Sequence, residues 1–263
     1  MAFALAPEAL DAGFRLIAHD TVGSTSTDAL ERLRCGERGP LWVVSSHQTQ
    51  GRGRRGSSWR TEPGNLAASL ALNTDADPAG IATLGFVAGV ALAQALERCC
   101  EAAAAFRLKW PNDMVADGAK LAGILLETES LPSTRAVVIG IGVNVVHAPE
   151  GLPYPTASLR SLGHSVTAEG LFAALTAEWV QSVQLWDQGR GFGSIRELWL
   201  ARASGLGGPV SIRSGSSVIS GTFQTIDQHG QLVLRTEEGA VRTISAGEVY
   251  FGSAASARRE AVA

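Results

Sequence analysis

Cysteine is scarce in this chain. Three residues in 263, Cys35, Cys99 and Cys100, make no disulfide framework, and so sparse and odd a set suits a reducing cytoplasm. Histidine is thin as well: His19, His47, His147, His164 and His229 are scattered, and no zinc-ligand spacing occurs. An excess of positive charge is also lacking. Lysine and arginine number 22 against 25 acidic residues, a formal net charge of −3. No global field therefore draws the protein to nucleic acid or anionic lipid, and any bound phosphate must be held by a local cluster. The N-terminus has no basic n-region, and Glu8 and Asp11 interrupt its apolar residues, so it does not read as a signal peptide. One long uncharged run, Pro78 to Leu96, approaches the length of a membrane span. It is rich in Ala and Gly, contains Gln94 and has few bulky apolar residues. It reads instead as a buried core helix from Ile81 to about Glu101. Hydrophobic residues are plentiful at 45% against 18% charged, enough for one large domain or a medium domain with a small appendage.

The spacing predicts a helix within Pro7–Leu16, then a Ser/Thr-rich loop over Asp20–Asp28 that caps a short helix at Ala29–Leu33. Leu41–His47 and Leu66–Leu72 read as strands. Phe106–Trp110 alternates and stops before Pro111, followed by a Pro111-Asn112-Asp113 turn and extended Met114-Val115. Lys120–Thr128 and Arg135–Val145 read as central strands buried on both faces. A helix is expected over Thr167–Asp187, with Leu171, Leu175, Trp179, Val183 and Trp186 on one face. Ser194 and Glu197 fit a capping box for Ile195–Ala203. Past Gly205–Pro209, strands near Val210–Arg213, Val218–Thr225, Gln231–Arg235 and Ala240–Ile244 suggest a small β-barrel. Their turns fall at Ser214-Gly215, Asp227–Gly230 and Glu237–Gly239. The expected organisation is an α+β catalytic domain (1–206), a small β domain (207–252) and a disordered tail, Ser253–Ala263.

Four motifs carry chemistry. Gly51-Arg52-Gly53-Arg54-Arg55-Gly56-Ser57-Ser58-Trp59 formally fits G-x-G-x-x-G, but a dinucleotide fingerprint needs a helix to open at once, and Arg60-Thr-Glu-Pro-Gly64 follows. Glycines free the backbone and guanidiniums offer forked donors to phosphate, so such a loop can close over a triphosphate; a solvated basic loop is the alternative. Lys109-Trp110-Pro111-Asn112-Asp113 puts a lysine at the end of a buried strand, costly unless it meets an anion. Its plainer alternative is a snorkelling side chain. Lys120–Glu127 opens a strand with a second lysine, and Gly123 permits close approach. Gly140-Ile-Gly-Val-Asn144 sets two glycines and an amide in an apolar strand; the amide suits a purine edge or a satisfied core site.

In their order, these motifs resemble the biotin–protein ligases (biotin–[acetyl-CoA-carboxylase] ligases), along with Gly23-Ser24-Thr25, Gln48 and the closing β domain. The resemblance covers about residues 14–252. It implies a mixed central β-sheet with helices packed on it, like class II aminoacyl-tRNA synthetases, plus an SH3-like C-terminal barrel. It implies that Ser24, Thr25, Ser26 and Gln48 face biotin, with Gly51, Arg52, Gly53 and Gly123 close by. Arg54 would hold the adenylate, and Lys109 would bridge the biotin carboxylate and the α-phosphate. Arg55, Trp59, Lys120 and Asn144 would contact the nucleotide. Family members often carry an acidic residue shortly before the lysine strand; the nearest here is Glu101. Only about twenty residues precede Ser24, too few for a winged helix-turn-helix, so the ligase-only type without DNA binding is expected.

ATP and biotin are then the substrates, with Mg²⁺ held mainly by phosphates rather than by a protein metal site. The acceptor implied is a biotin carboxyl carrier domain of acetyl-CoA carboxylase or another biotin-dependent carboxylase. The enzyme would be a monomer or homodimer, with no membrane partner. Two other readings remain in view: a lipoate or octanoate ligase, and a nucleic-acid-binding module built on the arginine loop and the β-barrel.

Overall fold

The computed structural model describes residues 2–100, 106–132, 134–214 and 217–251. Glu101, Gly215 of the expected Ser214-Gly215 turn, and the tail Ser253–Ala263 lie outside them.

A seven-stranded mixed sheet forms the first layer. Its strands are β1 (Arg15–His19), β2 (Leu41–Ser45), β3 (Leu66–Thr74), β4 (Phe106–Lys109), β5 (Asp113–Ala116), β6 (Ala119–Leu131) and β7 (Thr134–Val143). The order across the sheet is β1-β2-β3-β7-β6-β5-β4. Only β1 and β2 run parallel; the other neighbours are antiparallel. β4 and β5 form a hairpin in which Lys109 lies opposite Asp113. The next turn, Asp117-Gly118, has positive φ at both residues (49° and 79°), which matches the right-handed twist of its flanking strands. The outer edge of β4 is covered: Leu108 donates to Arg202 O and Ser204 donates to Leu108 O.

Helices cover both faces. α1 is short (Pro7–Asp11), and α2 (Thr25–Arg34) lays Ala29 and Leu33 on Leu41, Val43, Ala71, Ala136 and Val138. On the opposite face lie α3 (Pro78–Ala82), α4 (Leu84–Cys99), α5 (Ala168–Trp186) and α6 (Phe192–Leu200). There Trp42 meets Phe172 and Trp179 edge-on, with ring centroids 5.7 and 6.2 Å apart. Pro78–Cys99 has the length and composition to cross a membrane, but most of it is buried against the sheet and α5, as a core helix requires. Its helix breaks at Thr83, whose hydroxyl turns back to Gly80 O (2.6 Å) and accepts from Trp186 Nε1 (2.8 Å).

A five-stranded antiparallel sheet follows: β8 (Pro209–Ser214), β9 (Ser217–Ile226), β10 (Leu232–Arg235), β11 (Val241–Ile244) and β12 (Glu248–Phe251), in the order β11-β10-β9-β8-β12. β9 pairs with β8 along its first half and with β10 along its second. A register shift at Val233/Leu234 bends it between the two, giving the small SH3-like architecture. Its core residues Phe223, Ile226, Leu232 and Leu234 join the same apolar cluster as Phe86, Trp110 and Trp199 of the first layer.

Several sequence expectations need correction. The helix expected within Pro7–Leu16 stops at Asp11, because Gly13 (φ +81°) turns the chain into β1. The Ser/Thr segment is not a loop up to Asp28: Ser24 caps α2, which begins at Thr25. β6 is not buried on both faces, since beyond Ile124 its side chains are half-buried or exposed. α6 begins at Phe192 behind Gly191 without a side-chain cap, so Ser194 and Glu197 form no capping box. β12 was not foreseen.

Candidate active site

The site lies where α2, the Gln48–Thr61 excursion and the strand ends from β4 to β7 meet. At its inner end is a buried group of small polar side chains. Thr25 donates from both N and Oγ1 to Gln48 Oε1 (2.8 and 3.0 Å), and Gln48 Nε2 donates to Thr61 Oγ1 (3.0 Å). Ser69 Oγ bonds Thr25 Oγ1 (2.8 Å) and Ser26 Oγ (3.0 Å). Ser24 Oγ accepts from Thr27 N (3.4 Å) as the α2 cap. Ser26 can sit this deep because Gly140 has no side chain: a Cβ there would lie 2.6 Å from the Ser26 hydroxyl. Gln48, Gly51, Trp59 and Thr61 also line a cleft of about 360 Å³.

The arginine loop folds against this floor. Gly51 passes so close to Trp59 O that a Cβ would approach within 2.3 Å, and Gly53 N donates to Ser57 O (2.7 Å). The Trp59 indole lies over Gly142 and Gly123, where a Cβ would come within 2.4 and 3.3 Å of the ring. The three arginines diverge. Arg52 pairs with Glu127 of β6 (3.2 Å), and Arg55, at φ +55°, reaches Glu248 of β12 (3.5 Å). Arg54 turns inward and donates from Nη1 to Asn112 Oδ1 (3.0 Å). Burial and the neighbouring Arg55 charge push the Arg54 guanidinium below its usual range, while Asp113 and Glu248 act in the opposite direction. It keeps its charge, since an arginine has a wide margin above neutral pH. Each of the three guanidiniums thus has a partner in the protein, Arg52 and Arg55 through half-exposed ion pairs and Arg54 through Asn112.

The β4–β5 hairpin organises the cations. Lys109 ends β4 with its ammonium 5.2 Å from the centroid of the Phe251 ring. Asn112 holds Arg54 and is itself fixed by donating Nδ2 to Ile124 O (2.8 Å). Asp113 pairs with Lys120 (2.8 Å), whose ammonium also lies 5.7 Å from the Trp59 and Tyr154 ring centroids. Asn144 sits one residue past β7, buried, with Nδ2 donating to Ala157 O (3.1 Å). Beside it, Asn65 Oδ1 accepts from the backbone N–H groups of Val145, Val146 and His147 (2.9, 2.8 and 3.0 Å), fixing the chain that leaves β7.

The residues expected from the sequence thus fall in one region, with Arg52 and Arg55 at its rim. Sequence reasoning missed Ser69, Tyr154, Glu248 and Phe251, and it gave Asn112 and Asp113 no role beyond the turn and the lysine motif. Ser69 had a faint signal as the lone polar residue in Leu66–Leu72. Asn112 and Asp113 had a plain one, lying inside the lysine motif. Nothing local marks Glu248 or Phe251.

The biotin/lipoate A/B protein ligase family matches residues 20–144, and the biotin protein ligase C terminal domain matches residues 205–252. The biotin–[acetyl-CoA-carboxylase] ligase of Paracoccus denitrificans is 41% identical over 87% of this chain and 97% of its own. The chain belongs to the biotin–protein ligases. The enzyme of the same description from Mycobacterium tuberculosis is 31% identical over 86% of this chain and 85% of its own. The Aquifex aeolicus biotin protein ligase, solved in complex with biotin and ATP, superposes with a TM-score of 0.77 at 27% identity. That match covers 91% of this chain and 99% of the other. The likeness falls on the biotin side of the two ligase readings weighed from the sequence.

Proposed function

We propose that this ligase activates biotin as biotinyl-5′-AMP and passes the biotinyl group to a lysine of a biotin carboxyl carrier domain of acetyl-CoA carboxylase or a related carboxylase. The reading rests chiefly on the five-residue hairpin Lys109–Asp113, which carries one cation, holds Arg54 through Asn112 and holds Lys120 through Asp113.

The first step joins two anions, the biotin carboxylate and the α-phosphate of ATP. Its barrier is lowered by positioning and by fixed positive charge. Ser24, Thr25, Ser26 and Gln48 offer hydroxyl and amide groups to the polar ring system of biotin. Lys109 is assigned to the carboxylate and α-phosphate, Arg54 to the adenylate phosphate and Lys120 to the nucleotide. Among the described residues no three His, Cys, Asp or Glu side chains converge as a metal site, and Asp113 is paired with Lys120. Mg²⁺ arriving with ATP would rest on phosphate oxygens and water and neutralise the pyrophosphate. The mixed anhydride is prone to hydrolysis, and the Gly51–Trp59 loop lies where it can exclude water. In the second step the acceptor amine attacks the acyl carbon and AMP leaves. The three cysteines carry no part of this route, and their unpaired state suits the cytoplasm in which the proposed acceptor would be met.

ATP–pyrophosphate exchange with biotin, lipoate and octanoate in turn tests the reading. Exchange with biotin alone is expected, and exchange driven by lipoate or octanoate but not biotin would overturn it. Lys109→Ala should abolish exchange in a folded protein; near-normal exchange would remove Lys109 from catalysis.

A further inference from the structure

Phe251 is a large apolar side chain left 37% exposed at the end of the last described strand. Its ring centroid lies 5.2 Å from Lys109 Nζ, within the range at which the negative face of a ring attracts an ammonium. A second observation shows that this position is built. Gly205, at φ +76° in the connection between the two sheets, lies directly under the ring. A Cβ on it would come within 2.3 Å of Phe251 Cε1 and 2.7 Å of Cδ1. Only glycine leaves the ring that seat. The strand behind it is tied down as well: Phe251 pairs with Val210, and Glu248 bonds Arg213 (2.9 Å).

We propose that Phe251 is a positioning residue for adenylation, holding the Lys109 ammonium in place by its ring face. The C-terminal sheet thereby takes part in the chemistry of the first. A carboxylate in the same place would also hold the lysine, but it would accept its hydrogens and cancel its charge. A ring face attracts the ammonium without supplying a strong acceptor, so it does not compete with an incoming carboxylate or phosphate for the lysine's donors. A contact that restrains the ammonium without taking its hydrogens bears on the chemical step more than on ATP binding.

The inference rests on the assignment of Lys109 to catalysis, which Lys109→Ala tests separately. The discriminating experiment replaces Phe251 in the full chain by mono-, di- and trifluorophenylalanine, which keep the shape of the ring and weaken its negative face. Phe251→Tyr and Phe251→Leu accompany the series. The readouts are kcat and KM for biotin-dependent ATP–pyrophosphate exchange and the thermal midpoint. We expect kcat to fall stepwise with fluorination, reaching a loss of roughly two- to five-fold. KM for ATP and the thermal midpoint should hardly move. Tyrosine should retain kcat, and leucine should lose it to a similar degree. A flat fluorination series overturns the proposal even if Phe251→Leu fails to fold, since the fluorinated rings fit the same seat. If Lys109→Ala kept its activity, the lysine assignment would fall and this inference with it. An inactive Lys109→Ala beside a flat series would overturn the Phe251 inference alone.

Discussion

Asn112→Ala separates an anchor from a spacer in the lysine hairpin. Asn112 makes two side-chain hydrogen bonds, accepting from Arg54 at 3.0 Å and donating to Ile124 O at 2.8 Å. The first has a charged donor, and such bonds contribute about 1.5–3 kcal/mol net. Asn112 is only half-buried, so water can replace part of it and the lower figure applies. A loss of about 1.5 kcal/mol in transition-state stabilisation is about tenfold in kcat/KM. The second bond is to a neutral carbonyl and concerns stability, worth about 1 kcal/mol. The assay is biotin-dependent ATP–pyrophosphate exchange for Asn112→Ala, Arg54→Ala and the double variant. If Asn112 acts through Arg54, the double variant should be hardly worse than Arg54→Ala, a coupling energy of about 1.5 kcal/mol. Effects that add to within about 0.5 kcal/mol would refute the reasoning, because independent sites behave so.

Arg54→Ala should also release the adenylate faster, seen as biotinyl-AMP or free AMP in the medium before acceptor is added; unchanged retention would remove its clamping role. Trp110→Phe deletes the buried bond to Gly230 O (2.9 Å) and strands that carbonyl, so urea unfolding should show a loss of about 1–3 kcal/mol. At pH 8 the exposed Cys35 should react quickly with a thiol reagent. Cys100 should stay protected until unfolding, burial having pushed its thiol up to about 11. Burial pushes the Glu248 carboxyl up, but hydrogen bonds from Tyr250 and Arg213 and the Arg213 and Arg55 charges outweigh it, leaving it below its ordinary 4.5. A carboxyl depressed by folding stabilises above its unfolded pKa and loses that effect as pH falls through the folded value. Glu248→Gln should therefore lower the thermal midpoint at pH 7, and the gap should close in acid below 4.5.

The α+β class, the main central strands and the helix at Ala168–Trp186 were legible because their patterns are long or strongly apolar. β1 was not. It is a five-residue edge strand whose side chains are all half-buried or exposed, so it carries almost no alternation, and helical spacing absorbed its first residues. The start of α2 was obscured because Ser24, Thr25 and Ser26 serve as both helix start and polar floor, and their type suggested a loop. The candidate site was legible wherever its residues cluster along the chain, as in Gly51–Trp59 and Lys109–Asp113. What stayed hidden is contributed by single residues brought from afar. Glu248 meets Arg55 across 193 positions, and no local pattern records such a pairing.

The bond from Trp110 to Gly230, with Phe86 packed under that glycine, places the seam between the two sheets beside Lys109. Cutting the chain near Gly207 would therefore do more than remove an appendage. It would uncover Trp110 and Phe86 together, a sticky wound on the larger fragment. Inactivity of such a fragment would report that exposure before it reported any contact with substrate. A designer seeking a smaller ligase would have to resurface that patch with polar side chains first.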